Sequence, residues 1–423
     1  MNSILIEGLK CTSQIVRIGV KLSNYIQISK ELSERIEEDR RKNYINPFAF
    51  KDENIIRRNP ERDKASLQRP AFVRDIEKII HSPYYNRYTD KTQVFSFYKN
   101  DDISRRGYHV QLVARIARNI GNVLGLNENL IEAIALGHDI GHTPFGHAGE
   151  RILNRIYREK TGRYFNHNVH SVRVLDRIFE RNISLQTLDG IICHNGEFVQ
   201  QEYRPKKLKD FEEFDSIVES CYEEKGAIGK LVPSTLEGCV VRICDMIAYI
   251  GKDRQDAMQT GLLKDLSSFT QCHIGVTNAE MINNLSVNVI ENSYGKDYIL
   301  MDNQYYEDIK LAKKENYEKI YFNEELNSKY DNIIEPMFWQ IYDRLLDDLK
   351  NDRKDSVIFR HHLNFVWENE KYYDDEFTYQ SGEHNQIVVD YLASMTDDYF
   401  IDLYKYLFPK GKYDVEYVTY FDT

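Results

Sequence analysis

The sequence predicts a predominantly α fold with little β, and three observations carry that reading. Proline is scarce, with 9 residues in 423, and glycine is moderate at 21. Apolar residues recur at three- and four-residue spacing over long stretches, the period of a helix face. No alternation of apolar and polar residues is sustained enough for a sheet beyond a hairpin.

Each element follows from local pattern. In HVQLVARIARNIGNVLG, Val110, Val113, Ala117, Ile120 and Leu124 form one apolar face. Asn127 is placed to cap the next helix, ENLIEAIALGHD, which turns Ile131, Ile134 and Ala135 inward. Gly141, Pro144 and Gly146 interrupt regular structure before a third helix starting near Ala148. The segment STLEGCVVRICDMIAYIGKDRQDAM is apolar on nearly all sides through Cys239–Ile250, which predicts a buried central helix. Beyond residue 265, stretches such as IIEPMFWQIYDRLLDDL read as a second helical layer with no separating linker. The expected organisation is an N-terminal helical extension over 1–50, a core over 51–265 and a C-terminal helical region over 266–423 packed on it.

A net charge of −11 argues against a general nucleic-acid coat or a membrane-surface binder, since both work through broad positive potential. No run of 18 apolar residues occurs, and Glu7, Lys10 and Arg17 interrupt the opening segment, so a cytoplasmic protein is expected. The six cysteines form no CxxC pair and read as reduced thiols. From Ile56 to Arg74 the chain carries Arg57, Arg58, Arg62, Lys64, Arg69 and Arg74 against only Glu61 and Asp63. Such a run is first a solvated surface loop paired with acidic neighbours, and second an anion-binding patch.

The histidines point to chemistry, because six of the twelve fall between His109 and His170. His138-Asp139 offers an imidazole and a carboxylate that one divalent metal can take together. His142, His147 and Glu150 crowd into the same thirteen residues beside apolar helices. Burying these groups unpaired would cost several kcal/mol apiece, so a metal, an anionic ligand or both is the economical explanation. Asp245 sits among Val241, Ile243, Ile247 and Ala248 on the central helix, a costly position unless a metal takes it. Tyr249 and Asp253 follow on the same face. His109 supplies a fourth ligand.

Taken together, His109, His138-Asp139 and Asp245 resemble the H…HD…D pattern of the HD-domain phosphohydrolases. The surrounding text is similar to the deoxyguanosinetriphosphate triphosphohydrolase family of dNTPases, over Arg74–Phe95, SRRGYH, GHDIGHTPFGHAGE, DMIAYIGKDRQDA and, more weakly, VVDYLASMTDDY. The resemblance implies an HD-domain helical core with additional helical layers, hydrolysing a 2′-deoxynucleoside 5′-triphosphate to deoxynucleoside and inorganic triphosphate.

Carried onto this sequence, the resemblance assigns the metal to His109, His138, Asp139 and Asp245, and the catalytic pair to His147 and Glu150. Arg106, His142 and His167 would meet the phosphates, and Tyr249 and Asp253 the deoxyribose. Two imidazoles and two carboxylates suit Mn²⁺, Mg²⁺ or Fe²⁺ better than zinc. The family implies a homo-oligomer, tetramer or hexamer, and a regulatory nucleotide for which Arg57–Arg74 is a candidate interface. Competing readings are an HD phosphohydrolase of guanosine tetraphosphate or a cyclic nucleotide, and a non-catalytic nucleotide sensor or single-stranded nucleic-acid binder. Tyr108-His109-Val110 departs from the family's usual tract, residues 1–50 are not covered, and no base-reading residue is carried over. His170 and His194 lie outside the motif and read as surface or supporting histidines.

Overall fold

The computed structural model describes residues 25–195, 199–371 and 378–422. Part of the expected N-terminal extension, residues 1–24 with Cys11, lies outside them. Sixteen α-helices are present among the described residues. The first eight are α1 (Lys30–Arg41), α2 (Ala71–Ile80), α3 (Arg106–Leu124), α4 (Glu128–Gly137), α5 (Gly146–Thr161), α6 (His167–Arg173), α7 (Leu185–Ile192) and α8 (Phe211–Glu223). They continue as α9 (Leu236–Gln259), α10 (Asn278–Ser293), α11 (Asn303–Asn316), α12 (Glu324–Lys329), α13 (Glu335–Lys350), α14 (Asn364–Glu370), α15 (His384–Ser394) and α16 (Asp397–Leu407). None is long and apolar enough to cross a membrane. The described cysteines are free thiols.

The centre of the fold is α3 against α4 and α9, with α2 and α10 flanking. All five apolar positions of the α3 face are buried, each worth about 1.5–3 kcal/mol relative to exposure. Asn127 caps α4 by accepting from the Leu130 N–H, and Gly125 ends α3 in the left-handed conformation that glycine tolerates best. Helix α9 starts at the Thr235 cap and is buried almost throughout, with Asp245 and Tyr249 half-buried. Helices α13 and α15 pack on α5, so the C-terminal layer covers the core directly. Among the described residues the strands are four two-residue pieces, and neither pair is a hairpin. Tyr98–Lys99 runs parallel to Val418–Thr419, and Glu202–Tyr203 antiparallel to Ile299–Leu300.

The basic stretch is paired with acidic neighbours as expected, and residues 59–62 and 64–69 are exposed, but Arg57 is buried. The Arg57 guanidinium is buried and donates to Asp75 and to the carbonyls of Asn182 and Ala71. Asp75 in turn accepts from Ser184 and Thr187. Arg58 forks onto Asp176 and Asp215, Arg74 pairs with Asp63, and Arg69 with Glu77. Arg57, Arg58 and Arg74 are thus engaged within the fold, while Arg62, Lys64 and Arg69 remain at the surface. Arg57→Ala would strand the Asp75 carboxylate in the interior and is expected to destabilise the protein by about 3–5 kcal/mol in urea unfolding.

A second buried network ties α6 to α15. Arg173 makes two hydrogen bonds to Asp390, at 2.7 and 2.8 Å, and Gln386 and the Tyr379 hydroxyl also donate to it. His362 lies against Tyr379, and His170, far from being a surface residue, is buried with Asp390 as its nearest carboxylate at 3.8 Å. Burial pushes the His170 imidazole down to about 4 and that of His362 down to about 3. Unfolded, both would bind a proton near pH 6.5. The unfolded state therefore takes up protons first, and stability is lost as pH falls from about 6.5 towards 4. Melting temperatures across that window should decline, and His170→Leu should flatten the decline.

Candidate active site

The site is built at the junction of α3, α4, α5, α6, α7 and α9. The turn after α4 must bring backbone close to α6, and a Cβ on Gly141 would lie 2.2 Å from the Ser171 nitrogen. That contact sets His138 and Asp139 against α6. Phe145 then adopts a positive φ of 61°, uncommon for a bulky side chain, as the residue before α5.

Two groups of side chains result. In the first, the ligand atoms of His109, His138 and Asp245 all lie within 4.8 Å of one another, as do those of His138, Asp139 and His194. His138 Nδ1 donates to the Ala135 carbonyl at 2.7 Å, which leaves Nε2 as a bare lone pair. That Nε2 is buried without a hydrogen-bond partner, 3.6 Å from Asp139 and 3.8 Å from Asp245. His109 Nε2 is 3.0 Å from Asp245. Burial opposes charge on Asp245, yet His109 and His138 hold its carboxyl down to about 2. An imidazole anchored through Nδ1, with its unpartnered Nε2 facing two carboxylates, is the donor set a divalent cation takes, so the residues fit a metal. Arg106 is buried and paired with Asp139.

In the second group, His142, His147, Glu150 and His167 converge. Glu150 accepts from His147 Nδ1 at 3.0 Å and from His167 Nδ1 at 2.8 Å, and the His167 backbone N–H adds a third bond. Burial alone would depress His167, but the Glu150 carboxylate outweighs it and carries the imidazole up to about 9. His142 stacks on His167 at 4.5 Å with both ring nitrogens unpartnered. His147 is half-exposed.

A cavity of about 580 Å³ joins these groups. Eight of the eleven predicted residues line it: Arg106, His109, Asp139, His147, His167, Asp245, Tyr249 and Asp253. His138, His142 and Glu150 touch members of that lining. Sequence reasoning missed two residues of the wall. His194, set apart as a supporting histidine, donates through Nδ1 to the Ile191 carbonyl and offers Nε2 to His167 at 3.0 Å. Tyr321, from the π-helical turn after α11, donates its hydroxyl to Asp253. Burial there pushes the Asp253 carboxyl up to about 7. No local pattern marks Tyr321, whereas His194 could have been found as one more histidine following an apolar helix.

The family model described as "HD domain" matches residues 106–250, which hold every residue of the metal-type group. The helical fold and this site define an HD-domain phosphohydrolase. The deoxyguanosinetriphosphate triphosphohydrolase-like protein of Caldanaerobacter subterraneus subsp. tengcongensis is 33% identical over 374 residues, covering 86% of this chain and 92% of the relative. The protein so named in Clostridium tetani is 32% identical over 80% of this chain and 86% of its own length. The one in Desulfatibacillum aliphaticivorans is 29% identical over 88% and 96%. The chain belongs to the deoxyguanosinetriphosphate triphosphohydrolase-like family.

Proposed function

We propose that the protein hydrolyses 2′-deoxynucleoside 5′-triphosphates to deoxynucleoside and inorganic triphosphate. The observation that carries this reading is one cavity lined at once by the His-Asp group, by His147 and His167, and by Tyr249 and Asp253. In the reaction, water bonds to the α-phosphorus, the bond to the 5′-oxygen breaks, and that oxygen gains a proton as the attacking water loses one. His109, His138, Asp139 and Asp245 would hold a divalent metal, Mn²⁺ or Mg²⁺, which polarises phosphate oxygens and makes water nucleophilic near neutral pH. His147, oriented by Glu150 and half-open to the cavity, exchanges the proton. Arg106 and the protonated His167 supply positive charge to the phosphates in a protein that is acidic overall.

For the sugar, Asp253 accepts from the 3′-hydroxyl while the Tyr249 ring leaves little room for a 2′-hydroxyl. Tyr249→Ala should lower the preference for dNTP over NTP by about 10-fold or more, and an unchanged ratio of kcat/KM would count against the steric argument. The reading itself is tested by incubating the protein with each dNTP and NTP, singly and mixed, under Mn²⁺ and Mg²⁺ and identifying products. Deoxynucleoside plus triphosphate is expected. Release of phosphate or pyrophosphate, or turnover confined to guanosine tetraphosphate or a cyclic nucleotide, would overturn it.

A further inference from the structure

The segment VVDYLASMTDDY stands far from the histidines in sequence, and no step above uses it. Its Asp397, the first residue of α16, is buried beneath the turn that carries them. One carboxylate oxygen accepts the Phe145 backbone N–H at 3.0 Å, and the other accepts the Thr92 hydroxyl. Phe145 is the residue of positive φ from which α5 starts, two positions before His147. Its ring is held by Phe400 of α16 at 5.3 Å.

The contacts extend to both groups of the site. The Thr92 carbonyl accepts from Arg106 Nη2 at 3.2 Å, and Arg106 Nη1 pairs with Asp139. The neighbouring Lys91, also buried, donates to the His142 carbonyl and to the Ala393 carbonyl at the end of α15. Asp397 thus joins the start of α5 to the strand-like segment that seats Arg106. A left-handed conformation at a bulky residue costs about 1–3 kcal/mol and persists only where the surroundings over-determine it.

We propose that Asp397 is a positioning residue for the hydrolytic site: its carboxylate fixes the Phe145 turn, and through it the placement of His147 and Glu150, while Thr92 transmits the same anchor to Arg106. The proposal rests on the reading of His147 as the proton-exchanging group. It requires geometry rather than charge, since an amide oxygen can accept from Phe145 and an amide N–H can donate to the Thr92 hydroxyl.

Asp397→Ala and Asp397→Asn, with metal content verified, test this on the full chain. Asp397→Ala should lower kcat about 10- to 100-fold while KM changes little, the scale expected of a misplaced catalytic group. Asp397→Asn should restore kcat to within about 3-fold of the parent. Hydrogen exchange over residues 141–150 should quicken in Asp397→Ala and return to the parent rate in Asp397→Asn. Unchanged kcat in Asp397→Ala, or equal loss in both variants, overturns the proposal. If Asp397→Ala does not fold, Thr92→Val gives the same readout, and kcat unaltered there overturns it too. A parent protein inactive on every dNTP would refute the functional reading alone, because the exchange measurement needs no substrate and still decides whether Asp397 holds the turn.

Discussion

Asp245→Ala is expected to lose bound metal and turnover together. Asp245 is the only acidic member of the set it forms with His109 and His138, and its carboxylate lies 3.0 Å from His109 Nε2. Removing it takes a negative charge from a buried site and leaves Asp139 as the one carboxylate among the proposed ligands to balance a dication. Metal-supplied charge stabilisation is worth several kcal/mol at the transition state, and each 1.36 kcal/mol is tenfold in rate, so a fall of about 10²–10⁴ in kcat/KM is the expected scale. The fold should survive, because Val241, Ile243, Ile247 and Ala248 carry the packing of α9 on either side. Metal analysis of the purified variant alongside turnover decides it. Full metal occupancy with undiminished activity would remove Asp245 from the site.

His147→Ala should behave differently, retaining metal and losing turnover. His147 belongs to the other group, bonded to Glu150 and ring-packed against His142 and His167. Losing a positioned acid–base group lowers kcat by about 10²–10⁴, and KM should change little. Glu150→Gln separates orientation from proton transfer. The amide can accept from one histidine only and would turn its own N–H towards the other. Near-normal kcat in His147→Ala at full metal loading would show that another group moves the proton.

What the sequence reveals and conceals follows from the range of the interactions. The α3 face and the Asn127 cap are legible because they depend on residues three and four apart. The His-Asp residues are legible because buried charge is rare enough to draw notice wherever apolar helices surround it. The basic stretch is only partly legible. Its charges are visible, but the partners of Arg58 lie 118 and 157 residues away, and no composition argument can tell a paired arginine from a free one. Tyr321 and Asp397 are hidden in the same way, since each acquires its role only when a distant helix folds back on the core.

The family pattern ends at residue 250, yet the cavity does not. Tyr321 and Tyr330 close its wall from chain beyond α11, and Asp397 secures the turn from further still. An excised fragment stopping after α9 would keep every proposed metal ligand but present them in an open trough, with the Phe145 turn unsupported. Dissecting this protein into a minimal catalytic unit, or grafting its signature onto another scaffold, therefore requires the last third of the chain to travel with it.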